Sequence, residues 1–347
     1  MTASLQILPL DSAHSHIWDA YVDTHPEGSF FHLSGWRRVV ENALGHRTLY
    51  LMAWQSGAVV GLLPLVRQKS MLFGHTLVST PFCVYGGALA DDEEIRLALE
   101  CEALERGQRL GVDHIELRDR EAREGDCRWQ HHCSHAAFWR DIDDDPEQIL
   151  TSIKRKQRAV VRHSLKNGLS WEIQHDVDQC YDIYSESVRN LGTPVFSRRL
   201  FRELKKEFGS QCEALVVKDA DGNAVSAVLS FYFRDQVLPY YGGGIEAARA
   251  LKSNDYMYYQ LMCHAASRGY RRFDFGRSKK DSGSYKYKQH WGMTEEALHY
   301  RCALVKAKQL PNLSPNNPRY AAVINMWKRL PLGVSRQFGP VLSRYLG

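Results

Sequence analysis

YYGGGIEAARALKSNDYMYYQLMCHAASRGYRRFDFG, residues 240–276, runs from a strand through three glycines into a helix and back to a strand. Residues 237–241 read as β and end on Gly242, Gly243 and Gly244, which let a backbone approach another group closely, open a bulge, or simply turn. Ser253 or Asn254 is placed to cap a helix over 253–268, which Gly269 ends, and a helix start of this kind favours an anion. Residues 272–275 then alternate as a short strand.

The same scheme extends on both sides. Upstream lie helix-like stretches at 179–190 and 197–208, then a β pair, 214–218 and 224–233, around Asp221-Gly222-Asn223. In the first half, residues 49–65 read as two strands joined at Gln55-Ser56-Gly57, followed by a helix at 93–107 and a strand at 114–118. Each half thus reads helices, hairpin, helix, strand. That order predicts a duplicated mixed α/β (α+β) unit, with helices packed on a mainly antiparallel sheet. The acidic, Pro-terminated stretch DIDDDP at 141–146 reads as a linker, giving domains 1–142 and 143–309. Five prolines divide the rest, 310–347, into a tail of short pieces appended to the second domain.

Composition agrees with this division. The 347 residues suit two domains of roughly 150 residues each. With 44% hydrophobic and 24% charged residues the chain reads as globular, and no segment approaches the roughly 20 apolar residues of a membrane span. No basic, then apolar, leader is visible, so the expectation is a cytoplasmic protein. Eight scattered cysteines without a C-x-x-C pair read as reduced thiols. His131, Cys133 and His135 would share a strand face, but no clear fourth ligand stands nearby, so no metal is expected.

The net charge of +5 is mild, which makes its distribution the useful signal. As one helix, TSIKRKQRAVVRHSLKNG (151–168) sets Lys154, Arg158, Arg162 and Lys166 at i, i+4 spacing. Like charges so spaced repel by a few tenths of a kcal/mol per pair. The stripe reads either as a face for phosphates or as a solvated face paired with local carboxylates. Further on, FDFGRSKKDSGSYKYKQHWG (273–292) reads as strand, flexible loop, strand. A second strand there would put Lys286 and Lys288 on one face and Tyr285 and Tyr287 on the other. Cations beside a flexible loop suit a phosphate, or the oxyanion formed when an amine attacks an ester or thioester. The plain alternative is an edge strand kept soluble by lysines. No Ser/His/Asp spacing marks a nucleophile, so direct transfer is the reaction type expected.

These segments resemble the FemAB family of transferases, which pass an amino acid from aminoacyl-tRNA to a peptidoglycan precursor. The resemblance is carried by VRNLGTPVFSRRLFREL (188–204), YYGGG (240–244), NDYMYYQLM (254–262), FDFGRSK (273–279), SYKYKQHWG (284–292) and NPRYAAVINMWKRLPL (317–332), with SFFHLSGWRRVV (29–40) in the first half. More specifically, the chain looks like the branch associated with PEP-CTERM/exosortase systems and exopolysaccharide loci. It implies two tandem Gcn5-related N-acetyltransferase-like (GNAT) domains. Tyr287-Lys288 matches the family's Phe-Lys pair, so Lys288 is the candidate for offsetting charge at the transferred carbonyl, with Asp274 the nearest carboxylate in sequence. Tyr240, Tyr241, Gly242, Gly243 and Arg198 or Arg199 match substrate-side positions, which Arg277 and Tyr285 join, and Trp36 with Arg37 or Arg38 matches an acceptor-binding region. The long helical hairpin of some peptidoglycan-transferring members is absent, and Tyr287 stands where Phe is commoner.

The leading expectation is therefore an acyl- or aminoacyltransferase. Its donor would be acyl-CoA or aminoacyl-tRNA, with no tightly bound cofactor, and its acceptor an amine or hydroxyl of a small or lipid-linked envelope or exopolysaccharide precursor. The alternative is a non-catalytic module binding an anionic glycan or lipid carrier at the cytoplasmic membrane face. In either case Val323, Ile324, Trp327 and Leu330, with basic neighbours, suit an interfacial helix or a tail folded over the second domain.

Overall fold

The computed structural model describes residues 4–123, 128–132, 134–310 and 318–346. Fifteen strands appear among these in chain order: β1 (Gln6–Pro9), β2 (Arg47–Gln55), β3 (Ala58–Ser70), β4 (Gly74–Ser79), β5 (Leu89–Ala90), β6 (His114–Asp119), β7 (Trp129–His131), β8 (His135–Asp141), β9 (Ser170–Gln174), β10 (Cys212–Lys218), β11 (Ala224–Phe233), β12 (Gln236–Gly244), β13 (Arg272–Lys279), β14 (Thr294–Ala297) and β15 (His299–Leu304). The helices of the first part are α1 (Ser15–Thr24), α2 (Gly35–Val39) and α3 (Glu93–Leu110). Those of the second are α4 (Pro146–Ser152), α5 (Arg155–Ser164), α6 (Asp178–Leu191), α7 (Arg198–Phe208), α8 (Ala248–Leu251), α9 (Ser253–Ser267), α10 (Gly283–His290), α11 (Pro318–Lys328) and α12 (Leu332–Ser343).

Two sheets result, in the orders β1-β2-β3-β4-β6-β15-β7, with β5 paired on β3, and β9-β10-β11-β12-β13-β8-β14. Position for position the two orders correspond, which is the signature of a duplicated unit. β4 pairs with β6 and β12 with β13 in parallel, whereas β1–β2–β3–β4, β9–β10–β11–β12, β6–β15–β7, β3–β5 and β13–β8 are antiparallel. The expected mixed, mainly antiparallel sheets flanked by helices are what the chain forms.

The domain boundaries are not the sequential ones expected. One compact unit comprises residues 1–134, 297–312 and 345–347, and the other 135–296 and 313–344. The chain leaves the first unit between β7 and β8 and returns to it at β15, so each sheet takes a strand from beyond the 142/143 division. A buried charge cluster holds the returning strand. Arg301 of β15 donates through Nε to Asp119 (2.7 Å) and through its two terminal nitrogens to Glu100 (2.6 and 3.2 Å). Arg96 also binds Glu100. Burial opposes the charge on Arg301, yet Glu100 and Asp119 hold its pKa above the usual arginine value. Burial raises the pKa of the Asp119 carboxyl, with Arg301 working against the rise.

In the second unit, α9 buries Met257, Leu261, Met262 and Ala265 against Val228, Val237 and Phe273 of the sheet. It is preceded not by a side-chain cap but by Lys252, at φ 55°. The tail packs on α6: Arg336 pairs with Asp182 at 2.7 Å, Arg189 donates to the Leu330 carbonyl at 3.1 Å, and Trp327 is buried. No helix among the described residues is long and apolar enough to cross a membrane. The candidate zinc set includes Cys133, which lies outside the described residues.

Candidate functional site

Parallel strands β12 and β13 pair only at Gln236 with Arg272 and Val237 with Phe273. Beyond that point β12 continues to Gly244 along β11, while β13 continues to Lys279 along β8. The two strands therefore part toward their C-terminal ends, with the start of α9 and helix α10 among the elements around them.

The glycines at the end of β12 answer to crowding rather than to a turn. A Cβ on Gly243 would sit 2.4 Å from Ser187 Oγ of α6, and one on Gly244 2.5 Å from the Ala248 Cβ. On β13 the register shifts between Asp274 and Arg277, and Gly276 takes φ +68°. Asp274 is buried and accepts from the Gly276 amide at 2.8 Å, so this carboxylate fixes the bulge.

Residues 283–290 are a helix, not the strand expected. Four alternating residues, Tyr-Lys-Tyr-Lys, imitate a period of two. Local signals outweigh them: Ser282 caps α10 by accepting from the Tyr285 amide at 3.2 Å, and Gly292 at φ +75° follows its end. Lys286 and Lys288 consequently share no face. Lys286 is exposed, whereas Lys288 is turned inward. Its Nζ donates to the carbonyls of Gly276 (3.1 Å) and Arg277 (2.9 Å) and lies 5.3 Å from the Phe275 ring. Burial pushes its pKa down to about 7, with Asp274 opposing and Arg277 adding to the fall.

Tyr287 is packed among Phe275, Tyr258 and Trp291 and donates to Asp255 Oδ1 at 2.8 Å. Gln157 donates to the same oxygen at 2.6 Å. Burial raises the pKa of Asp255, and these two donors oppose the rise. Sequence reasoning missed Asp255 and Gln157. The visible signal was an acidic residue in the first turn of α9, which reads as an ordinary helix-start carboxylate.

Other expected residues are placed differently. Tyr241 is buried against Tyr184, Phe196 and Phe201, with Tyr240 at its edge, so Tyr241 is a core ring. Arg198 pairs with Asp182 at 2.5 Å and lies 4.4 Å from the Tyr181 ring; Arg199 is exposed. Tyr285 donates to Glu295, and Arg277 is half-buried on β13. Trp36 and Arg38 belong to the first unit, where Trp36 is a buried ring donating to the Phe30 carbonyl at 3.0 Å and Arg38 is exposed.

The basic run is broken in two at Ile153. Lys154 stands at the N-cap of α5, Arg158 donates to the Ile153 carbonyl at 3.2 Å, and Arg162 reaches Glu147 only at 3.4 Å. Leu165, just past the end of α5, is exposed. The first turn of α5 carries Lys154, Arg155 and Lys156 with no acidic residue, against the sense of the helix dipole. A Cβ on Gly292, just after α10, would lie 3.5 Å from the Lys154 side chain.

A model of the acetyltransferase (GNAT) domain matches residues 149–289, which span β12, β13, α9 and most of α10. The chain has the tandem GNAT fold. It is similar to the solved structure of FemX at 15% identity, covering 92% of this chain and 100% of that one, with a TM-score of 0.69. It is also similar to a tandem GNAT protein from the clavulanic acid biosynthesis pathway, solved without AcCoA (13%, 88% and 100%, 0.58). A third likeness is to the C-terminal domain (DUF2156) of a putative lysylphosphatidylglycerol synthetase from Agrobacterium fabrum (13%, 84% and 92%, 0.57). No curated protein matches the chain by sequence.

Proposed function

We propose that this tandem GNAT chain is an acyl- or aminoacyltransferase that uses the parted ends of β12 and β13 as its donor site. The observation carrying the reading is that parting inside the GNAT-matched segment, with Lys288 fixed beneath the Gly276–Arg277 bulge. Parted parallel strands leave backbone groups to bind an extended donor and to meet an oxyanion. In the reaction proposed, the neutral acceptor amine or hydroxyl attacks the donor carbonyl and the carbonyl oxygen takes the charge. The bond to the thiol or ribose oxygen then breaks, and that leaving group takes up a proton. Lys288 acts here as a positioning residue, because its ammonium holds the strand carbonyls. The acceptor's proton passes to the Tyr287 hydroxyl as Tyr287 gives its own to Asp255, and the same relay run in reverse delivers that proton to the departing thiolate or ribose oxygen, which restores Tyr287 and Asp255.

The acceptor we favour is an amine or hydroxyl of an envelope or exopolysaccharide precursor, small or lipid-linked, met at the cytoplasmic face of the membrane. Titrating the protein with acetyl-CoA and with bulk aminoacyl-tRNA over a salt series tests the reading and names the donor. Saturable acetyl-CoA binding with little salt dependence makes it an acyl-CoA enzyme and the α5 cations a solvated face. Binding of aminoacyl-tRNA should instead weaken steeply with salt, by a logarithmic slope of about 0.7–0.9 per phosphate contact. In that case a Lys154/Arg158/Arg162 triple alanine variant should show a shallower slope and weaker binding. Binding of neither donor would overturn the transferase reading in favour of a module that binds a glycan or lipid carrier.

A further inference from the structure

Helix α12 lies on the second unit by its small face. Ser335, Gly339 and Ser343 recur every fourth residue and are buried. A Cβ on Gly339 would meet the Val195 backbone at 2.8 Å, so this contact is backbone against backbone. The large apolar residues point the other way. Val334, Phe338 and Val341, spaced i, i+4, i+7, are 37%, 56% and 58% exposed. On α11, Val323 and Met326, three residues apart, are 50% and 58% exposed. A helix that merely covered a domain would bury its apolar stripe and show its serines to water. Here the arrangement is inverted, while Arg336 ties α12 to Asp182 and Ser185 of α6.

The two helices themselves carry charge of one sign. Residues 297–347 contain no Asp or Glu, and the tail carries Arg319, Lys328, Arg329, Arg336 and Arg344. Lys328 and Arg329, at the junction of the two helices, are exposed. We infer that the outer face of α11 and α12 docks on an anionic lipid surface, with Phe338, Val341 and Val334 entering the headgroup layer and the exposed Lys328 and Arg329 meeting lipid phosphates. A second copy of the chain fits less well, since two such faces would bring like charges together. The inference stands apart from the transferase reading, whose test uses donors in solution without vesicles.

The test is co-sedimentation of the full chain with sucrose-loaded vesicles, of phosphatidylcholine alone or mixed with phosphatidylglycerol. Wild type should bind the phosphatidylglycerol vesicles, and more weakly as salt rises. Phe338→Ser/Val341→Ser should lower that partitioning about tenfold or more, and Lys328→Glu/Arg329→Glu by a similar factor. Thermal unfolding in solution should be unchanged in both variants, because the replaced side chains are exposed. Failure of wild type to sediment with phosphatidylglycerol vesicles overturns the inference, as does equal sedimentation of wild type and Phe338→Ser/Val341→Ser. A dimer in light scattering that the serine variant dissociates, without vesicle binding, assigns the face to a second copy and also overturns it.

Discussion

Arg301→Ala should destabilise the first unit by about 3–5 kcal/mol, the range expected when one partner of a buried ion pair is removed. The guanidinium is 1% exposed and ties the carboxylates of Asp119 and Glu100 to the returning strand β15. Without it Glu100 keeps Arg96, but Asp119 is left as a buried carboxylate facing a cavity. The deficit should shrink as pH falls from 7 toward 4. A buried carboxyl whose folded pKa lies above its unfolded value takes up its proton first in the folded state, so its penalty is present at neutral pH and vanishes below the unfolded value. Denaturant unfolding followed across this pH range checks both statements. A loss below about 1 kcal/mol at pH 7 would mean that apolar packing, not the charge cluster, holds β15 in place.

Lys288→Met should remove a pH dependence of stability that wild type shows. The folded pKa of about 7 lies below the ordinary lysine value of 10.5, so between these limits the unfolded chain binds more protons than the folded one. Stability of wild type should therefore rise with pH between about 7 and 10, by at most about 1.4 kcal/mol per pH unit from this group. Below pH 7 the lysine is charged in both states and the slope ends. The methionine variant should lack the slope, whatever its offset from leaving the Gly276 and Arg277 carbonyls without their donor. Once donor and acceptor are in hand, transfer by the variant should fall about a hundredfold, as expected where groups that preorganise an oxyanion site are lost. Equal slopes in the two proteins would place the proton elsewhere.

Much of the fold follows from local pattern. The hairpin β2–β3 turns at Ser56-Gly57 as its residues indicate, α9 runs to Ser267 against an expected 268, and β10 and β11 flank Asp221-Gly222-Asn223. The exchange of β8 and β15 does not follow: neither HAAFWRD nor HYRCAL alternates apolar and polar residues throughout, and nothing local states which sheet each joins. Tyr285 to Lys288 misled for a different reason: a period of two over four residues is weaker than the Ser282 cap and the glycine beyond the helix. In the site, the resemblance singled out Lys288 and Tyr287, yet their environments depend on long-range packing. Only the fold shows that Lys288 faces strand carbonyls, that Tyr287 faces Asp255, and that Asp274 accepts from the Gly276 amide.

The most direct test of the donor site is amide hydrogen exchange of the full chain, with and without saturating acetyl-CoA or aminoacyl-tRNA, resolved by peptide. If the parted strands hold the donor, exchange should slow at 242–244 on β12 and 276–279 on β13, and remain unchanged at 74–90 and 114–120 in the first unit. Slowing confined to the first unit, or none in either strand with donor bound, would contradict the assignment.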